Sequence, residues 1–169
     1  MAQTALTQRA ITLSDLDALM AIEVRAYSHP WTRGNFIDSL ASGYWMQGLW
    51  DGDAQLRAYI VAAPGVDEVH LLNVTVCPGC EGRGWARRLL TALCDWARSQ
   101  ACAQVWLEVR ASNARARQLY ERFGFRSMGV RKGYYPAAQG REDAHVMCLD
   151  LETLSDVTAS ARDTGSSAP

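Results

Sequence analysis

Residues 71–97, LLNVTVCPGCEGRGWARRLLTALCDWA, read as a strand, a glycine-rich turn and a helix in direct succession. Leu71, Leu72, Val74 and Val76 make the strand, Pro78 closes it, and Gly79, Gly82 and Gly84 fall in the turn. Trp85, Ala86, Leu89, Leu90, Leu93, Cys94 and Ala97 then recur at helical spacing, giving one apolar stripe suited to lie on a sheet. A strand that turns straight into an amphipathic helix, with more strands before and after it, indicates an α/β or α+β sheet with helices on its faces. The strand itself changes phase: Val69 and Leu71 share one parity, while Leu72, Val74 and Val76 share the other. Either a bulge near Leu71 and Leu72 or burial on both faces is expected.

Working outward toward the N-terminus, a short strand over residues 9–13 leads to Ser14, an expected helix cap. The spacing of Leu16, Leu19, Met20, Val24 and Tyr27 gives that helix its apolar face, and His29-Pro30 stops it. Thr32 is positioned to cap a second helix carrying Phe36, Ile37 and Leu40, ended by Gly43. Two strand-like runs, residues 44–50 and 56–62, are joined at Asp51-Gly52, a hairpin signal. Toward the C-terminus, Val105, Leu107 and Val109 alternate with Trp106, Glu108 and Arg110, so Glu108 faces away from the aliphatic side. Ser112 is expected to cap a helix bearing Ala116, Leu119, Tyr120 and Phe123, with Gly124 as its stop. Residues 125–130 and 144–151 close the sheet around a loop holding Tyr134-Tyr135-Pro136. The expected organisation is a loose start over residues 1–8, one domain over 9–151, and a loose tail over 152–169, where residues 155–169 keep Val157 as their only large apolar side chain.

The chain of 169 residues is 49% hydrophobic and 21% charged, a globular composition. Seventeen basic against eighteen acidic residues give a net charge of -1, which lacks the basic excess of a nucleic-acid binder, so no direct nucleic-acid partner is expected. No apolar run reaches the ~18 residues of a membrane span, and the first residues do not read as a secretory signal. Five cysteines, odd in number and scattered, suit reduced thiols in a cytoplasmic protein, and a monomer is expected. Cys77-Pro78-Gly79-Cys80 has the spacing of a redox or half-zinc motif. No second cysteine pair completes it, and His29, His70 and His145 show no ligand spacing, so no metal is expected.

Two places can hold chemistry. The turn CEGRGWA, residues 80–86, precedes a helix whose first amides suit phosphate oxygens, yet it is neither a P-loop nor a dinucleotide fingerprint. Glu108 and Tyr120 are placed to converge near the C-terminal end of one strand, where ligands of α/β sheets usually bind.

Together these pieces resemble the GNAT acetyltransferase superfamily, and more closely its bacterial ribosomal-protein-alanine N-acetyltransferases. The likeness rests on WLEVRASN at 106–113, on Leu119-Tyr120-Glu121 with Phe123-Gly124-Phe125, on Tyr134-Tyr135-Pro136 followed by GREDA at 140–144, and on His29-Pro30-Trp31. It implies a mixed, mostly antiparallel sheet with a splayed parallel strand pair that admits the pantetheine arm of acetyl-CoA. It further implies that Val74, Thr75 and Val76 pair with that arm, that Gly82, Arg83, Gly84, Trp85, Ala86 and Arg87 hold the pyrophosphate, and that Asn113 binds the same molecule. Glu108 is then the proton acceptor and Tyr120 the proton donor, with Arg131, Tyr134 and Tyr135 toward the peptide. The implied substrate is the N-terminal alanine of protein eighteen of the small ribosomal subunit; other protein N-termini, small amines and a non-catalytic acyl-CoA-binding module are the alternatives. One position departs from the family: Glu81 stands where Gln or Arg is usual, and its charge is expected to point to solvent. The turn's amides with Arg83 or Arg87 then meet the phosphates.

Overall fold

The computed structural model describes residues 5–154; the expected tail beyond Leu154 lies outside the described residues. Seven strands, β1 (Thr7–Ala10), β2 (Trp45–Trp50), β3 (Leu56–Pro64), β4 (Glu68–Val76), β5 (Gln104–Arg110), β6 (Arg126–Pro136) and β7 (Arg141–Asp150), form one sheet in the order β1-β2-β3-β4-β5-β7-β6. The helices α1 (Leu16–Ala26), α2 (Arg33–Ala41), α3 (Trp85–Ser99) and α4 (Ala114–Phe123) follow a 3-10 turn at Leu13–Asp15, and residues 151–154, of which 152–154 were expected in the loose tail, are helical. The sheet is antiparallel apart from β4 and β5, a parallel pair that requires a crossover, here α3. The chain clusters into two compact units that share β4: Val66–Val69 group with the segment from Cys94 onward, and His70–Leu93 group with the segment up to Gly65.

In the first unit, β1 starts two residues earlier than the sequence suggests, and Thr12 rather than Ser14 starts the helical segment. The Asp15 carboxylate accepts from the Thr12 amide at 2.8 Å and from Arg9 at 2.8 Å, a capping box with a cation behind it. Thr32 caps α2 as expected, its hydroxyl accepting from the Asn35 amide at 3.2 Å. The β2–β3 hairpin turns through more than Asp51-Gly52: the Asp51 carboxylate accepts from both the Asp53 and Gln55 amides at 3.0 Å, and Ala54 adopts φ 57.

Two expectations fail in this unit, for one reason. The buried face of α1 is Leu16, Leu19, Ile22 and Glu23, while Val24 is 54% exposed. Burial in β4 alternates without interruption, so there is no slip at Leu71 and Leu72. Val69, Leu71, Asn73 and Thr75 all lie on the buried side; the change in apolar phase is a change of side-chain chemistry on one continuous pleat. Asn73 and Thr75 can lie inside because Glu23 lies there too, each supplying the other's hydrogen bonds.

In the second unit Val105, Leu107 and Val109 are buried as their alternation requires. Asn113, not Ser112, caps α4: its side-chain oxygen accepts from the Ala116 amide at 3.1 Å. β6 runs on to Pro136, so Tyr134 and Tyr135 sit in a strand rather than a loop. Its pairing with β7 shifts between Arg131 and Tyr135, where three residues on β6, Lys132, Gly133 and Tyr134, face Asp143 alone on β7.

Candidate active site

The glycine-rich segment closes in two steps. The Cys80 amide donates to the Cys77 carbonyl at 2.9 Å, forming a turn with Gly79 at φ 87; Gly82 and Gly84 follow, both at φ 78. At this φ an L side chain is strained, and no atom lies within 4 Å of where a Cβ on Gly82 or Gly84 would sit. The Gly84 carbonyl accepts from the Arg88 amide at 3.0 Å, so α3 winds directly out of the turn and its first amides have no acceptor within the helix. The open backbone concavity, the helix N-terminus and Arg83 and Arg87 beside it together suit a pyrophosphate. The Glu81 side chain is exposed and accepts from the Gly79 amide at 2.8 Å, folding back onto its own turn. The expected solvent-facing orientation holds. All five cysteines are free thiols; burial, then Cys80, pushes the Cys77 thiol up, opposite to what a redox nucleophile needs.

Val74 and Val76 are half-buried on one side of β4, while Thr75 is buried on the other. The Tyr27 hydroxyl reaches across to this segment, 2.7 Å from Thr75 Oγ1 and 3.3 Å from the Val74 carbonyl oxygen.

In the second unit β5 presents Glu108, whose side chain is 9% exposed, 3.6 Å from the Arg131 guanidinium of β6. The Tyr135 hydroxyl donates to the Glu108 carbonyl at 3.1 Å; burial, then Tyr134 and Glu108, pushes that phenol up to about 12, so it stays protonated. Tyr134 lies edge-on to Tyr135 at 4.8 Å, under the Arg131 guanidinium at 5.4 Å. Glu108, Arg131, Tyr134 and Tyr135 are therefore brought together. Tyr120 is buried on α4 against Phe125, with ring centroids 5.5 Å apart. The Asn113 side chain serves α4 as its cap.

Sequence reasoning missed the residues that hold these in place. Arg110 donates to the Glu142 carboxylate at 2.8 Å and to the Pro136 carbonyl at 2.6 Å, and stacks 4.5 Å from the Tyr135 ring. Asp143 accepts from the Gly133 amide at 2.9 Å and Arg141 donates to the Tyr134 carbonyl at 2.8 Å, which fixes the extra residues of the β6 irregularity. The Gly133 amide, then Lys132, holds the Asp143 carboxyl below its usual range. The charges of GREDA at 140–144 were the available signal; their partners lie up to 32 residues away in sequence. Among the described residues there is no cluster of three metal-ligating side chains and no helix long and apolar enough to cross a membrane.

Comparison with known proteins gives concordant results. A family model described as Acetyltransferase (GNAT) family matches residues 16–125. The [Ribosomal protein bS18]-alanine N-acetyltransferase of Salmonella typhimurium is 38% identical over 141 residues, 83% of this chain and 95% of the relative. The enzyme of the same name from Escherichia coli strain K12 is 37% identical over 145 residues, 86% and 97% of the two chains. A crystal structure of the Escherichia coli ribosomal-protein-S18-alanine N-acetyltransferase superposes with a TM-score of 0.80 at 36% identity, covering 87% of this chain and 94% of that one.

Proposed function

The chain belongs to the GNAT acetyltransferase family, and from that premise we propose that it moves acetyl from acetyl-CoA to the N-terminal alanine amine of ribosomal protein bS18, in the cytoplasm and as a monomer. The observation that carries the reading is the identity of 38% over nearly the full length of a relative bearing that activity in its name. Acetyl-CoA supplies an acetyl group already activated as a thioester. The backbone of Val74, Thr75 and Val76 pairs with its arm; Gly82, Arg83, Gly84, Trp85, Ala86 and Arg87 hold its pyrophosphate, and Asn113 assists.

An N-terminal α-amine with a pKa near ~8 costs about 1.4 kcal/mol to neutralise at pH 7, against about 4.6 for a lysine near ~10.4. A terminal amine is the easier nucleophile. The Glu108 carboxylate takes the proton that the amine sheds, directly or through one water. An arriving ammonium exchanges with the Arg131 guanidinium at 3.6 Å, so Glu108 keeps a cation beside it throughout binding. Tyr120 gives its hydroxyl proton to the departing thiolate. Arg131, Tyr134 and Tyr135, held by Arg110, Arg141 and Asp143, line the approach of the peptide.

Incubation with acetyl-CoA and three peptides tests the reading: the bS18 N-terminal peptide, its N-blocked copy and a lysine-only peptide. A gain of ~42 Da on the first alone is expected, and acetylation of the lysine peptide instead would overturn it.

A further inference from the structure

Glu23 is a buried carboxylate that the reaction above does not use. It is 1% exposed, and three neutral groups donate to it: the Trp31 amide at 2.9 Å, the Asn73 amide at 3.3 Å, and the Tyr59 hydroxyl in a short contact. The protons of the surrounding network can be assigned. Glu23 accepts from the Asn73 amino group, so the Asn73 oxygen is left to accept, and Thr75 Oγ1 donates to it at 2.7 Å. Thr75 has spent its only proton, so across the 2.7 Å contact with Tyr27 the tyrosine must donate. The Tyr27 hydroxyl therefore points its proton toward the Thr75 and Val74 oxygens. The direction runs Tyr27 to Thr75 to Asn73 to Glu23, and the carboxyl oxygen that accepts at its end sets it.

We propose that Tyr27 is a positioning residue for acetyl-CoA binding: its hydroxyl, oriented through Thr75 and Asn73 by Glu23, holds the Val74 carbonyl and the Thr75 side chain, and so fixes the segment of β4 with which the thioester arm pairs. The inference rests on the acetyltransferase reading. Tyr27 caps the end of α1, its amide donating to the Glu23 carbonyl at 3.3 Å, so its ring is held from both ends. The same carboxylate pins the Trp31 amide beside a cavity of about 260 Å³ lined in part by Trp31 and Leu72. One buried carboxyl group thus orders both the loop after α1 and the cofactor strand.

The test is calorimetric titration of acetyl-CoA into wild type, Tyr27→Phe and Asp15→Asn, with thermal unfolding of each and steady-state kinetics on the bS18 peptide. Tyr27→Phe keeps the ring and removes the hydroxyl. It is expected to weaken acetyl-CoA binding 3- to 10-fold, about the worth of one hydrogen bond, and to raise the acetyl-CoA KM alike with kcat within about twofold. Asp15→Asn loosens the start of the first helical segment, where Asp15 accepts from Arg9 and the Thr12 amide, and is expected to lower Tm with less than a twofold change in acetyl-CoA affinity. Unchanged affinity in Tyr27→Phe, or equal weakening in both variants, overturns the positioning role. Wild type that fails to bind acetyl-CoA overturns the acetyltransferase reading itself, a separate outcome.

Discussion

Glu23 in the first unit and Glu108 in the second are both largely shielded from water, and their surroundings differ in kind. Three neutral donors from α2's approach, β3 and β4 converge on Glu23. Glu108 instead meets the guanidinium of Arg131, a side chain 56% exposed, at 3.6 Å. A carboxylate tied by buried neutral donors is costly to disturb and has nothing to exchange, so it orders its neighbours. One that faces an exposed cation can trade it for another cation at small cost, as a proton acceptor for an incoming ammonium must. In the proposed reaction Glu108 reacts and Glu23 organises, and the contrast between them lies in the groups each meets: neutral donors at Glu23, an exposed guanidinium at Glu108.

The largest expected effect is at Glu108. Glu108→Gln should lower kcat/KM for the peptide by 10² or more with Tm nearly unchanged, and a loss under about threefold in steady-state assays would break the contrast. Tyr120→Phe should lower kcat by at least tenfold. At Glu23 the effect should appear in stability: a Gln amide must turn an N–H toward a donor, leaving a buried group unsatisfied at about 2 kcal/mol, or a Tm loss of roughly 4–8 °C. An unchanged melting curve for Glu23→Gln would remove Glu23 from its organising role.

A third carboxylate sharpens the comparison through pH. Hydrogen bonding to Arg9 pulls the Asp15 carboxyl down to about 2, below its ordinary ~3.9, so its contribution to stability is present above ~3.9 and is lost as pH falls through about 2. Asp15→Asn should therefore melt earlier than wild type at pH 7 and together with it near pH 2. Smallest of all, Glu81→Gln should move the acetyl-CoA KM less than twofold, because that side chain is already occupied by the Gly79 amide. A large fall in KM would mean that Glu81 faces the phosphates.

Much of this was legible in the chain. The 71–97 stretch announced strand, turn and helix because apolar period and glycine placement agree there, and the alternation with Val105, Leu107 and Val109 told which way Glu108 faces, while its assigned role came from the family resemblance alone. The α1 face was misread by one position because Val24 is apolar and Glu23 is not; what makes Glu23 the buried residue is Asn73 and Tyr59, 50 and 36 residues away. The supposed slip in β4 has the same origin, since Asn73 and Thr75 look solvent-facing until their partner is known. Asn113 displaced Ser112 as cap because α4 begins at Ala114, which puts Asn113 at the cap position with Ala116 three residues on, and Ser112 one residue too early. Local pattern reports period and turn chemistry; it does not report which distant polar groups satisfy one another.

The most direct test of the central claim is intact and N-terminal peptide mass measurement of unacetylated ribosomal protein bS18 after incubation with acetyl-CoA and either wild type or Glu108→Gln. The account predicts a gain of ~42 Da confined to the N-terminal alanine with wild type and at least a hundredfold slower gain with the variant. Acetylation elsewhere on bS18, none at all, or equal rates from the two proteins would contradict it.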